Sequence, residues 1–139
     1  MIRKIAKMTA CFAAAAFALT LGVGAITASE NKADLTISDI MKKGHAKTGG
    51  TIANLKAAVK DKKWDDAKKA GAELKTFGDG LPGLKPPKGD DASWKKLAGE
   101  YKANTNAAAA AADKMDAEGV TKALTAIGGS CGGCHKVHK

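Results

Sequence analysis

A chain of 139 residues carrying 23 lysines and arginines against 14 acids, formally +9 at pH 7, is long enough for one domain. Aromatic residues make up only 4 %, and Arg3 is the only arginine. Nucleic-acid recognition through guanidinium forks and stacking platforms is thereby disfavoured, and the charge reads as solubility plus attraction to acidic partners.

Residues 1–8 are basic through Arg3, Lys4 and Lys7, residues 9–23 carry no charge, and the small-residue stretch "GAITAS" follows. Basic end, apolar run and small-residue site are the order of a secretory signal peptide. It is expected over 1–28, with cleavage after Ala25 or Ala28, leaving 29–139 as the mature domain. The apolar run is short for a membrane span of ~20 residues, so no stable membrane insertion of the mature chain is expected. Cys11 would leave with this segment, so the mature protein keeps Cys131 and Cys134. Removal takes three cations and no acid, leaving +6 of the original +9.

The body reads as helical throughout. Over 37–59, Ile37, Met41, Gly44, Thr48, Ile52, Leu55 and Val59 recur at three- and four-residue steps, predicting one helix. A second helix is predicted over 61–80, with Trp64, Ala67, Ala70, Leu74 and Phe77 facing inward. Pro82, Pro86 and Pro87 make the following stretch a linker. Asp90 or Asp91 then caps a third helix through 115, with Trp94, Leu97, Tyr101, Ala108 and Met115 in register. A fourth follows from Asp116, its inner face marked by Val120, Leu124, Ile127, Cys131 and Cys134. No stretch alternates with strand period, so the expected fold class is all-α, an antiparallel four-helix bundle.

Such a bundle lacks filler. Its inner faces are rich in Ala and Gly, with Ala107 to Ala112 in one run. A small domain must pack its interior at crystal-like density. Either the small residues let the helices approach closely, or a large apolar group completes the core, as a haem would.

The C-terminal "CGGCHKVHK" supports the second reading. Cys131, Cys134 and His135 stand at i, i+3 and i+4, one face of a helix. Two thiols there can take the two vinyl groups of a porphyrin as thioethers, and the imidazole beside them reaches the iron: the c-type attachment pattern. A disulfide closing so short a loop would constrain little. A thioredoxin-like dithiol needs a strand followed by a helix start. Zinc held by Cys131, Cys134, His135 and His138 would need four ligands on one short helix to surround a tetrahedral ion.

With these residues in view, the chain resembles the class II c-type cytochromes, the cytochrome c-prime group. The resemblance lies in the closing "ALTAIGGSCGGCHKVHK" and in "DDASWKK" at the start of the third helix. It implies an exported, periplasmic four-helix bundle with one covalent haem c near the C-terminus. Cys131 and Cys134 would be its attachment points and His135 the proximal iron ligand. The tail Lys136-Val137-His138-Lys139 departs from the aromatic-basic pair common after the motif histidine. A distal ligand would come from the first helix. Periodicity favours Met41, whereas the family pattern, counted back from "LKAAV", favours His45, the preferred candidate. Two protein ligands imply one-electron transfer between redox partner proteins. An open sixth position implies binding of nitric oxide or carbon monoxide instead. No catalytic constellation appears, so no enzyme activity is expected. Relatives often pair through their first two helices, which makes a homodimer an option.

Overall fold

The computed structural model describes residues 35–139, so the expected signal segment and its cleavage site lie outside the described residues. These residues are all-helical. The helices are α1 (Ile37–Asp39), α2 (Thr51–Lys60), α3 (Trp64–Gly80), α4 (Asp91–Asp113) and α5 (Ala117–His138). A π-helical turn, Ile40–Gly44, continues α1, and a 3₁₀ turn, Leu81–Gly83, follows α3.

Pairings along the chain fix the directions. Gly71 lies against Ala109, and Gly78 against Thr105 and Lys102, so α3 and α4 run antiparallel. Gly119 approaches Ala111, while His138 meets Trp94, so α4 and α5 do the same. The core along these seams holds Leu55, Leu74, Phe77, Leu81, Trp94, Tyr101, Leu124 and Ile127. Ala67, Ala98, Ala108 and Ala112 fill the spaces between. Small residues do let helices approach: a Cβ at Gly78 would collide with the Thr105 side chain. That reading of the Ala-rich faces therefore holds for the α3–α4 seam.

Local chemistry accounts for the boundaries. Thr36 and Asp39 form a reciprocal capping box on α1. Asp90 accepts from Ser93 N–H at 2.8 Å to start α4, and Asp116 from Gly119 N–H at 2.9 Å to start α5. The ends of α2 and α4 share one device. Lys62 and Met115 adopt left-handed φ of 57°, and Lys63 N–H and Asp116 N–H reach back to the carbonyls of Ala58 and Ala111. This is the Schellman arrangement.

Two expectations are corrected. The helix predicted over 37–59 is interrupted: the first helical run closes at His45, a turn over 47–49 follows with Gly49 at φ +74°, and Gly50 caps α2. Thr48 consequently lies exposed in the turn and not on an inner face. Met115, expected inward, is 55 % exposed because the left-handed closing residue of α4 points away from the seam. Among the described residues no helix is long and apolar enough to cross a membrane.

Candidate functional site

The π turn places the first segment of the chain at the site. Gly44, without a Cβ, nests against the Phe77 ring, and a side chain there would crowd it. Met41 and His45, at either side of that contact, both reach one small cavity. Its wall also holds Leu81, Leu97 and Tyr101, and from α5 Ser130, Cys131, Cys134 and His135. The structure thus brings together all five residues singled out from the sequence. Cys131 and Cys134 are half-buried free thiols. The Cys131 thiol points back to the Ile127 carbonyl at 3.3 Å. Burial, with Cys131 beside it, holds the Cys134 thiol above its usual range. The His135 side chain is exposed at the cavity rim.

His45 is half-buried, and its Nε2 lies 3.0 Å from the Tyr101 hydroxyl. Burial, followed by the charge of nearby His135, pushes the His45 imidazole below its usual value and favours the neutral ring. Tyr101 is buried on α4, and desolvation pushes its phenol well above the usual range, so it keeps its proton.

A larger cavity, ≈ 860 Å³, opens on the other side of Met41, Cys134 and His135. Leu35, Ile37, Leu84, Pro87 and Trp94 give it apolar walls, and Lys42, Lys85 and Lys139 also border it. Cofactor pockets commonly span about 300–1,000 Å³ with mostly apolar walls. The Trp94 indole Nε1 is buried and has no hydrogen-bond partner. An unpaired buried donor beside such a cavity fits an acceptor on a bound group, as a haem carboxylate would supply. Thiols, imidazole, apolar walls and orphaned donor together fit a haem.

Sequence reasoning placed Trp94 and Tyr101 in the core but missed their polar roles. His138, weighed from the sequence only as a zinc ligand, is 3 % exposed and borders the larger cavity with Cys134 and His135. His138 bonds the Lys88 carbonyl through Nδ1 and the Ser93 hydroxyl through Nε2, at 2.9 and 3.0 Å. Both nitrogens are therefore engaged. Among the described residues no group of three or more His, Cys, Asp or Glu is placed to hold a metal ion.

Residues 89–139, covering α4 and α5, match the family model described as Cytochrome C'. No curated protein and no solved structure matches the chain. The family match supports a cytochrome c-prime-like class II cytochrome, and with it haem binding.

Proposed function

We propose, from the cytochrome c-prime-like character of residues 89–139, that the chain is an exported c-type cytochrome of the four-helix-bundle kind and carries single electrons between periplasmic proteins. One haem c supplies the redox-active iron when bound. Cys131 and Cys134 would hold the haem through two thioethers, each thiol's S–H having been added across one vinyl double bond with no leaving group. His135, one residue on, offers its imidazole as the proximal ligand. Trp94 Nε1 offers a hydrogen bond to a haem carboxylate, and Leu35, Ile37 and Leu84 exclude water. The carrying observation is the small cavity where Met41 and His45 share a wall with Cys131, Cys134 and His135. It supports a second protein ligand, with His45 preferred to Met41. An iron held by two protein groups exchanges electrons and does no bond chemistry, so the reading is a carrier and not an enzyme. The basic, apolar leader of residues 1–28 supports export.

The visible and electron-paramagnetic spectra of the oxidised protein test this. Low-spin iron, opened to carbon monoxide by His45→Ala and little changed by Met41→Leu, is the expected result. The reverse mutational pattern transfers the role to Met41. One observation favours the second reading, a five-coordinate protein that binds nitric oxide or carbon monoxide: His45 Nε2 is already bonded to Tyr101. High-spin iron in the unsubstituted protein, indifferent to both substitutions, would establish that reading.

A further inference from the structure

We propose that Tyr101 is a positioning residue that competes with the iron for His45, and so sets how far the sixth position is open. This rests on the haem site proposed above. Nε2 has a single in-plane valence. In one tautomer its lone pair accepts the Tyr101 proton; in the other Nε2–H donates to the phenol oxygen. Either way the 3.0 Å bond occupies Nε2. Ligation through Nε2 and the bond to Tyr101 exclude each other.

The competition is balanced by what each position leaves behind. Tyr101 is 7 % exposed, and His45 is its hydroxyl's one hydrogen-bond partner among the described residues. Turning His45 away strands a buried phenol, and that cost opposes ligation. The ring centroids stand 5.6 Å apart and tilted by 39°, so the contact is the polar one and not a stack. Tyr101 comes from α4 and His45 follows the π turn, so the bond also ties the first segment to the bundle.

Tyr101→Phe keeps the ring and removes only the competing group. The haem-loaded protein, Tyr101→Phe, His45→Ala and the double variant are compared by low-spin fraction when oxidised and by carbon monoxide association rate when reduced. Tyr101→Phe should strengthen His45 ligation by about two- to tenfold, the worth of one neutral hydrogen bond. It should raise the low-spin fraction if that fraction starts incomplete, and slow carbon monoxide binding if it starts complete. Both effects should vanish in the His45→Ala background. No change in either readout, a change of opposite sign, or the same change without His45 would overturn the proposal. A His45→Ala protein matching the unsubstituted one would contradict the six-coordinate reading alone. Even then, capture of the iron by His45 in Tyr101→Phe would uphold the competition.

Discussion

The imidazole of His138 meets the indole of Trp94 edge to face, with ring centroids 5.3 Å apart. Nδ1 donates to the Lys88 carbonyl, so the last turn of α5 is fastened to the start of α4 and to the loop before it. Gly89, at φ +86°, makes the approach possible, since a Cβ there would strike the His138 ring. Between this latch and the core lie Gly128, Gly129, Gly132 and Gly133, each weakening a helix by ~1 kcal/mol relative to Ala. Haem ligation should hold this stretch further. Amide exchange from Gly128 onward is expected to be slower in haem-loaded than in haem-free protein, and faster in His138→Ala than in either. Equal protection in all three would show that neither latch nor ligation holds the helix end.

Two glycines should respond to alanine with opposite signs. At Gly78 the new methyl meets Thr105, and overpacking is expected to cost about 1–3 kcal/mol. At Gly99, in the middle of α4, nothing stands within 4 Å, and the gain in helix propensity should stabilise by ~1 kcal/mol. Denaturant unfolding of the two variants reads the difference directly.

Asp90 gives a pH dependence whose sign is fixed. The Ser93 backbone N–H bonded to it lowers its carboxyl pKa below the ordinary 3.8. A folded-state value below the unfolded one contributes stability above the unfolded value, and that contribution is lost as pH falls through the folded one. Asp90→Asn keeps a capping oxygen but does not titrate. Thermal unfolding should therefore show the native protein losing ground to Asp90→Asn as pH drops from about 4 toward 2. Parallel curves for the two proteins would remove Asp90 from the acid response.

What the sequence disclosed and what it withheld follow from range. Spacing along one helix placed Cys131, Cys134 and His135 together, because a helical face is a local property. Caps at Asp90 and Asp116 were likewise legible from neighbouring residues. The break over 46–50 was masked by apolar residues that happen to continue the helical period across it. Met115 was misplaced because its left-handed φ depends on how α4 is terminated and not on periodicity. The partners of Tyr101, Trp94 and His138 come from 56, 44 and 45 residues away or are absent, and no local pattern encodes them. Periodicity favoured Met41 and the family pattern His45, and the π turn brings both to one cavity.

Lys42, Lys85 and Lys139 border the large cavity, which makes them the expected docking surface if the chain serves an acidic redox partner. An acidic redox partner should be drawn there, and salt should screen the attraction. Bimolecular electron-transfer rates are expected to fall as ionic strength rises, and to fall at low salt in Lys42→Glu with Lys85→Glu. A flat salt dependence in the native protein would detach these lysines from docking.

Covalent attachment of a haem at Cys131 and Cys134 is the step on which the proposed function depends. The most direct measurement is the mass of the denatured protein after acid-acetone extraction. One haem retained by the unsubstituted chain and none by Cys131→Ala with Cys134→Ala is the expected result. Haem extracted freely from the unsubstituted protein, or a chain mass without it, would contradict covalent attachment.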